Sequence, residues 1–350
     1  MRAAIIGCGL IGRKRAWSLS GAEVAVCCDL NLDRAEALAS GLDARATTDW
    51  QEAASQRDVD VVFVATTHDM LPRVAEAAVT AGKHVLIEKP GARRAAELDG
   101  VLTAAKHTGA LVRVGFNHRY HRAFQKARQI FDSGSLGELM FLRARYGHGG
   151  RIGYDREWRA NPDISGGGEG IDQGMHLIDL ARWFLGDFRH VEGHSATYYW
   201  DMPVDDNSFY LLRTPGNQTA FLHASWTEWK NTFSFEIYGR KAKLEILGLG
   251  GSYGVERLAY YEMGPALGPP ETTIFEYPMA DNSWAREWEA FADDIRSGRE
   301  PSPGVPDAQA ALRVVEEVYR KSATTMVPPV SGSTNPETWA EMASGMSARS

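Results

Sequence analysis

Residues 2–12 read RAAIIGCGLIG, an apolar run followed by three glycines spaced as G-x-G-x-x-G. The run predicts a β-strand over Arg2–Ile6, and the residues from Arg13 to Leu19 are compatible with a helix. Taken alone, the glycines are equally explained as a tight connection between strand and helix. A second predicted strand, Glu23–Cys28, is followed by Asp29, close to the spacing of about 20 residues expected for an acid that binds an adenosine ribose. The combination favours a dinucleotide-binding site.

The three glycines each have a physical task in such a site. Gly7 permits the turn, Gly9 lets the backbone approach a pyrophosphate, and Gly12 lets the helix pack closely on the strand. N–H groups at the start of the helix bind the phosphates. Asp29 accepts hydrogen bonds from the ribose hydroxyls and repels a 2′-phosphate, so NAD is predicted over NADP, with Arg34 near enough to soften the preference. The cofactor-binding residues predicted here are Gly7, Gly9, Leu10, Ile11, Gly12 and Asp29.

Predicted strands and helices alternate through the rest of the first third. Strands are predicted at Val59–Ala65, His84–Ile87 and Leu111–Phe116, and helices at Leu71–Ala81 and Ala95–Thr108. This alternation is typical of a parallel sheet covered on both faces, and it predicts a Rossmann domain over residues 1–121. Such sheets bind ligands at the carboxyl ends of their strands. The further cofactor-binding residues predicted at these ends are Thr66, Thr67, His68, Glu88, Lys89 and Asn117.

Lys89 directly follows an apolar strand, at the edge of the sheet where ligands bind. An ammonium group there can bind and polarise a substrate hydroxyl and take part in proton transfer. The alternative is a surface lysine that caps a loop, since lysine is almost never fully buried. The position at a strand end favours the catalytic interpretation.

A second glycine cluster, Gly166–Gly174, leads into a helix predicted over Asp172–Leu185. Asp172 and His176 are four residues apart and so share a helical face. A carboxylate beside an imidazole raises its basicity and fixes its orientation, as a general base requires. The glycines, lacking side chains, are expected to leave room for a ligand. Two alternatives are a metal site built on His176 and Asp179, for which no partner cluster is visible, and a histidine that only satisfies a core hydrogen bond.

The stretch Tyr146–Pro162 is polar and rich in arginine and aromatic residues. As a loop it can cover a substrate, its aromatic rings offering flat surface to a sugar and an arginine holding a phosphate or carboxylate. A solvated loop explains any single residue equally well. The predicted catalytic residues are Lys89, Asp172 and His176, and the predicted substrate-binding residues are Lys89, His118, Tyr146, Tyr154, Trp158, Arg159, Asp172 and His176.

The sequence of the second half of the chain indicates a different architecture. Strands are predicted at Ser195–Trp200, Ser208–Arg213, Thr219–Thr227, Phe233–Tyr238 and Lys243–Ile246, and helices at Ser283–Arg296 and Asp307–Ser322. Strands with few helices between them are typical of an antiparallel sheet. We therefore predict an α+β domain over residues 122–330, with a mostly antiparallel open sheet that is covered on one face and available to a partner on the other. Residues 331–350 are not assigned.

Composition excludes several classes of partner. The 350 residues carry a net charge of −7, which gives no positive field for nucleic acid. No apolar stretch approaches the roughly 20 residues needed to cross a bilayer, and no signal-peptide pattern precedes the first strand. The three cysteines lie in apolar sequence typical of strands and lack the spacing of metal ligands. We therefore expect reduced thiols in a cytoplasmic protein.

Several motifs together resemble the glucose-fructose oxidoreductase / inositol dehydrogenase (Gfo/Idh/MocA) family, over nearly the whole chain. They are the glycine turn at residues 7–12, Glu88-Lys89-Pro90, GFNHRY at residues 115–120, and the D-x-G-x-H-x-x-D pattern from Asp172 to Asp179. Many members carry Thr-Pro-Asn where this chain has Thr66-Thr67-His68.

The resemblance implies hydride transfer between NAD(P) and a secondary alcohol of a sugar, sugar phosphate or cyclic polyol, with Lys89, Asp172 and His176 at the catalytic positions. It also implies a homodimer or homotetramer built through the open sheet. Within the same fold an NAD-dependent glycosidase, a cofactor-recycling enzyme and a non-catalytic dinucleotide-binding regulator stay open. Free inositol, a hexose phosphate, an anhydrosugar and a nucleotide sugar all stay open as substrates.

Overall fold

A computed structural model of the chain describes residues 1–266 and 268–322. Its first sheet contains the strands β1 (Arg2–Ile6), β2 (Glu23–Cys28), β3 (Arg45–Thr47), β4 (Val61–Val64), β5 (His84–Glu88) and β6 (Val112–Gly115). All pairings in this sheet are parallel, in the order β3-β2-β1-β4-β5-β6. Residues 3–6 of β1 and 61–64 of β4 are buried on both faces, which explains their unbroken apolar sequence. The order is that of a doubly wound dinucleotide-binding sheet.

Helices cover both faces of this sheet. They are α1 (Leu10–Trp17), α2 (Leu32–Ser40), α3 (Trp50–Ser55), α4 (Leu71–Thr80) and α5 (Asp99–Thr108), the last preceded by a 3₁₀ turn at Ala95–Leu98. The predicted strand and helix types are confirmed in this region, and their bounds differ by a few residues. The cysteines 8, 27 and 28 are buried and free.

The second sheet contains eight strands of the described chain. They are β7 (Leu139–Gly147), β8 (His190–Ala196), β9 (Asn207–Arg213), β10 (Thr219–Ser225), β11 (Thr232–Gly239), β12 (Ala242–Leu247), β13 (Glu256–Glu262) and β14 (Glu271–Tyr277). Their order is β14-β13-β12-β11-β7-β10-β9-β8, and among these pairs only β7 with β10 is parallel. The mostly antiparallel sheet is therefore confirmed.

The helices of the second half are α6 (Arg122–Asp132), α7 (Pro162–Ser165), α8 (Glu169–Asp172), α9 (Gly174–Leu185), α10 (Ser283–Ser297) and α11 (Val305–Ser322). The single helix predicted over residues 172–185 is interrupted near its start, because Gln173 separates α8 from α9. In the described residues no helix combines the length and apolar character needed to span a bilayer. The unassigned tail 331–350 lies outside the described residues.

One strand prediction and one loop prediction differ from the structure. The strand predicted at Ser195–Trp200 is instead β8, which ends at Ala196. Beyond it the carboxylate of Asp206 accepts hydrogen bonds from the backbone N–H groups of Tyr198, Tyr199 and Trp200, at 2.8–3.0 Å, so these groups are unavailable to a strand partner. Tyr146, predicted to begin a loop, lies within β7.

Helix α10 departs from the predicted division of the chain at residue 121. Its Trp288 is buried, lies 5.3 Å from Phe63 of β4 between ring centroids, and donates from Nε1 to the backbone oxygen of Ser20 at 2.9 Å. Phe291 packs in the same core cluster, beside Ile5 of β1. By packing, α10 belongs with the first sheet although it follows the second in sequence.

Candidate active site

A cavity of about 1020 Å³ opens at the carboxyl ends of the first sheet and extends to β7, α8 and α9. Every residue predicted to bind cofactor or substrate lines this cavity, with the exception of Gly12. Residues from distant parts of the chain thus meet at one place, as expected for ligands at strand ends.

The first glycine cluster forms the end of the cavity nearest α1. Gly7 has φ +97°, and a Cβ there would lie 2.3 Å from the oxygen of Ala65. A Cβ on Gly9 would meet nothing within 4 Å, whereas one on Gly12 would lie 1.7 Å from the oxygen of Gly7. Gly9 therefore leaves open space at the start of α1. Gly12, predicted among the cofactor-binding residues, does not line the cavity, and its missing side chain lets α1 pack closely on the strand.

Asp29 is fixed at the end of β2 by two backbone hydrogen bonds. Its Oδ2 accepts from the N–H of Cys8 at 2.8 Å and its Oδ1 from the N–H of Asn31 at 2.9 Å. Arg34 also lines this part of the cavity. The open space at Gly9 and the fixed carboxylate fit the pyrophosphate and ribose of NAD.

Glu88 was predicted to bind the cofactor, and in the structure its carboxylate is hydrogen-bonded to a buried arginine. Its Oε1 accepts a hydrogen bond from Nε of the buried Arg15 at 2.6 Å, and Arg15 also donates to Glu287 of α10 at 2.5 Å. Asn117 similarly donates from Nδ2 to the hydroxyl of Ser283 at 2.8 Å. Both residues line the cavity, but their side chains also fasten α10 to the first sheet.

Lys89 and Asp172 form an ion pair between β5 and α8. The Lys89 ammonium also donates to the backbone oxygen of Asp172 at 2.8 Å, and Nε of Arg159 donates to Oδ2 of Asp172 at 3.1 Å. Burial alone would raise the pKa of Asp172, but the charges of Lys89 and Arg159 outweigh it and lower this pKa below its usual range. Asp172 is therefore ionised and held between two cations.

The predicted orientation of His176 by Asp172 is not the contact formed, because the carboxylate oxygens of Asp172 are taken by Lys89 and Arg159. His176 is buried and stacks on His118, with ring centroids 3.7 Å apart and an interplanar angle of 25°. Burial, and then the charge of Lys89, lowers the pKa of His176 well below 6.5. Its imidazole is therefore neutral near pH 7. Its Nδ1 is buried without a hydrogen-bond partner among the described residues.

The remaining predicted residues form the walls of this region. Nδ1 of His68 bonds the backbone oxygen of Ser165 at 2.7 Å, and burial lowers the pKa of His68 to about 4. The His68 ring meets the Trp158 ring edge-on, with centroids 4.8 Å apart. Tyr146 lies 5.3 Å from His118 between ring centroids. Tyr154 is almost fully buried against Trp226, so much of its ring serves packing.

The second glycine cluster does not open onto the cavity, which corrects the expectation that it leaves room for a ligand. A Cβ on Gly168 would lie 1.8 Å from the oxygen of Asp205, and one on Gly170 would lie 2.6 Å from the hydroxyl of Ser208. The carboxylate of Asp205 accepts hydrogen bonds from both N–H groups at 2.8 Å. These glycines let α8 approach the backbone before β9 closely, and this approach sets the position of Asp172.

Asp179 has a structural role. Its carboxylate receives two hydrogen bonds from Arg119, at 2.8 and 2.5 Å, and both side chains are buried. The described residues contain no cluster of three or more histidine, cysteine or acidic side chains arranged to hold a metal.

Sequence reasoning missed several residues that line the cavity, including His121, Gln173, Tyr253 and Trp284. His121 bonds Oε2 of Glu256 through Nδ1 at 2.9 Å, and it follows the GFNHRY motif directly, which was a usable signal. Tyr253 comes from the turn after β12, and its ring lies 5.3 Å from that of Tyr146. No local pattern indicates that this turn reaches the cavity.

Glu169 is a buried acid beneath the site. It is fully buried, and within the described part of the chain neither carboxyl oxygen has a hydrogen-bond partner. Burial, followed by the charges of Asp172 and Asp205, raises the pKa of Glu169 well above 4.5. Glu169 is therefore kept in its neutral form.

Two family models match the chain. The one described as an oxidoreductase family with an NAD-binding Rossmann fold matches residues 1–116, and the GFO/IDH/MocA C-terminal domain matches residues 124–245. Fold and matches define the class as an oxidoreductase with an NAD-binding Rossmann domain. The chain belongs to the Gfo/Idh/MocA family. The predicted family, fold class and NAD cofactor are thereby confirmed.

Among curated relatives, the inositol 2-dehydrogenase of Salmonella typhimurium is 30% identical over 200 residues, or 55% of this chain and 57% of the relative. The chain thus matches little more than half the length of that protein. The inositol 2-dehydrogenase of Rhizobium meliloti is 27% identical, over 92% of this chain and 97% of the relative. Among solved structures, a levoglucosan dehydrogenase in complex with NADH has TM-score 0.84 and 21% identity, covering 94% of this chain and all of its own. That likeness shows the fold.

The last two glycines of the first cluster provide a matched pair of variants. Gly9→Ala adds a methyl group in open space, so the protein is expected to fold normally but to bind NADH about tenfold more weakly, because the methyl obstructs the backbone approach. Gly12→Ala forces a contact with the Gly7 oxygen and is expected to lose about 1–3 kcal/mol of stability. NADH fluorescence titration and urea unfolding measure the two effects. Equal stability of both variants would contradict the different roles.

The neutral form of Glu169 predicts a pH-dependent stability difference. The folded state holds this proton above pH 4.5 while the unfolded state releases it, so stability is lost as pH rises. The free energy of unfolding of wild type relative to Glu169→Gln is expected to fall by up to about 1.4 kcal/mol per pH unit above 4.5, until the folded pKa is reached. Urea unfolding of both proteins between pH 5 and pH 8 measures it. A difference that is constant with pH would contradict a buried neutral acid.

Proposed function

We propose that this protein transfers a hydride between NAD and a secondary alcohol of a sugar, sugar phosphate or cyclic polyol. The observation that carries the proposal is the convergence of Lys89 and a neutral His176 on one cavity, whose other end contains Gly9 and Asp29. NAD, when bound, supplies the hydride acceptor or donor. The relatives named for oxidation of inositol and levoglucosan support a cyclic, hydroxyl-rich substrate.

Lys89 is proposed to bind the oxygen of the reacting hydroxyl group. Its ammonium is tied to Asp172 by an ion pair and by a hydrogen bond to the backbone oxygen at 2.8 Å, so its position is fixed. A cation beside that oxygen stabilises the negative charge that develops as the proton leaves. We therefore propose that Asp172 orients Lys89. The sequence pattern had instead suggested that Asp172 orients His176.

His176 is proposed as the base that accepts the hydroxyl proton at Nε2, and as the acid in the reverse direction. A base must be unprotonated at the working pH, and the lowered pKa of His176 meets that condition. The stacked ring of His118, whose pKa is also lowered by burial and by His176, supports the imidazole without adding charge.

Substitution of either group tests the proposal. His176→Gln and Lys89→Met are each expected to lower kcat by about 10²-fold or more, the range of general acid–base catalysis. Their NADH affinity, measured by fluorescence, is expected to stay close to that of wild type. The matched control is His190→Gln at an exposed residue of β8. NADH absorbance during incubation with a panel of sugars and cyclitols measures turnover, and net NADH release also separates a dehydrogenase from an NAD-dependent glycosidase. Near-normal turnover by both variants would contradict these roles.

We further propose a cytoplasmic homodimer or homotetramer assembled through the exposed face of the second sheet. Leu211 of β9 and Phe221 of β10 are cross-strand neighbours on that face, 51% and 49% exposed. Paired apolar side chains on an open sheet support an interface between copies. The buried, free cysteines support a reducing compartment.

The assembly is tested by placing charge on that face. Leu211→Glu with Phe221→Glu is expected to shift the protein from dimer or tetramer to monomer in sedimentation equilibrium, because like charges would face each other across the interface. Glu substitution at the exposed Ile152 is the control and should leave the mass unchanged. A wild-type protein that is monomeric would contradict the proposal.

A further inference from the structure

Five side chains form a series of ion pairs with alternating sign, here called the ion-pair chain, and all of them except Glu157 line the substrate end of the cavity. Lys89 pairs with Asp172, which receives a hydrogen bond from Nε of Arg159 at 3.1 Å. Nη1 of Arg159 lies 3.8 Å from Oε2 of Glu157, and Glu157 also pairs with Arg151. The ion-pair chain begins and ends with a cation, so it contains three cations and two carboxylates. The terminal Arg151 side chain is 65% exposed, whereas Lys89 and Arg159 are partly buried and share the carboxylate of Asp172.

Neighbouring acids supply no further counter-charge to these two cations. Glu169 interacts with Lys89 and Arg159, but burial raises its pKa so that it is neutral. Asp155 lies 3.8 Å from the guanidinium of Arg156, and Asp281 lies 4.0 Å from His121. Among the described residues, none of these acids forms an ion pair with Lys89 or Arg159.

Histidines next to the ion-pair chain do not change this balance. Burial lowers the pKa of His68, His118, His148 and His176, so all four rings are neutral near pH 7. A partly buried cation is costly unless an anion pairs with it. Because Lys89 and Arg159 share the one carboxylate of Asp172, an anionic ligand beside these two cations is favoured.

Arg159 is the member of the ion-pair chain best placed to bind such a ligand. Its guanidinium stacks over the Trp158 ring at 4.5 Å from the ring centroid, and Nε is held by Asp172, so the plane of the group is fixed. Nη2 makes no hydrogen bond with any residue that the structure describes, and the side chain is 29% exposed where it lines the cavity. A fixed guanidinium with a free edge is suited to a carboxylate or phosphate, which it recognises by shape as well as charge.

We propose that the substrate carries an anionic substituent, a carboxylate or a phosphate, and that Arg159 binds it while Lys89 and His176 act on a hydroxyl group of the same molecule. This inference rests on the proposed dehydrogenase function. It makes Arg159 a specificity-determining residue, because the free edge of its guanidinium pairs with the anion. If Arg159 served only to hold Asp172, its loss would affect neutral and anionic substrates equally.

Turnover of matched substrates tests the proposal. Each neutral hexose or cyclitol is compared with its monophosphate and with the corresponding sugar acid, using NADH release to obtain kcat/KM. Wild type is expected to prefer the anionic member by about tenfold to a hundredfold, the range of charge-assisted hydrogen bonds. Arg159→Gln is expected to reduce this ratio to near one. Arg156→Gln removes an arginine from the same loop, whose side chain is 82% exposed, and is expected to keep the ratio.

Binding is measured separately, so that the two proposals can fail independently. Calorimetric titration of the NADH-saturated protein compares hexose monophosphate and hexuronate with neutral hexose. Binding of an anionic member that depends on Arg159, without any oxidation, would support the inference and contradict the dehydrogenase function. Oxidation of neutral members as efficient as that of anionic ones, or a preference that survives Arg159→Gln, would overturn the inference and leave the dehydrogenase function intact. A preference for phosphate over carboxylate, or the reverse, identifies which anion the site takes.

Discussion

The ion pair between Lys89 and Asp172 joins the carboxyl end of β5 to α8, and the organisation of the site depends on it. It ties the nucleotide-binding sheet to the segment that leads into α9 and His176. Because Arg159 shares the same carboxylate, the loop after β7 is attached to the same point. The cavity between these elements thus has its walls fixed by one ionised carboxylate.

A carboxylate that holds two cations cannot also serve as the partner of a histidine. This explains how a site with several histidines keeps them neutral: burial lowers the pKa of His176 and His118, and Lys89 adds repulsion. In the proposed reaction the imidazole accepts a proton, while the ammonium stabilises the negative charge on the reacting oxygen. The proposal therefore divides proton acceptance and charge stabilisation between two side chains.

Features that depend on neighbouring residues could be predicted from sequence. The turn at Gly7 and the acid at Asp29 follow one another over a single strand–helix–strand unit, so spacing identified them. The choice of partner for Asp172 could not be predicted, because Lys89 and Arg159 approach it from elsewhere in the chain and compete with the nearby His176. The strand β7 was missed because its alternating sequence continues into an aromatic, arginine-rich loop. The packing of α10 on the first sheet could not be predicted either, because it depends on contacts of Trp288 with residues more than two hundred positions away.

The two glycine clusters also show why composition alone is ambiguous. Both clusters belong to segments that contribute residues to the cavity wall. Of their glycines only Gly9 faces open space, whereas a Cβ on Gly168 would lie 1.8 Å from the backbone oxygen of Asp205. An absent side chain can make room for a ligand or for another segment of the protein, and only the tertiary contacts decide between the two. The second cluster affects the cavity indirectly. Its glycines let α8 pack closely, and this packing brings Asp172 within reach of Lys89. The position of the carboxylate that pairs with Lys89 and Arg159 therefore depends on how closely α8 packs against the backbone of Asp205.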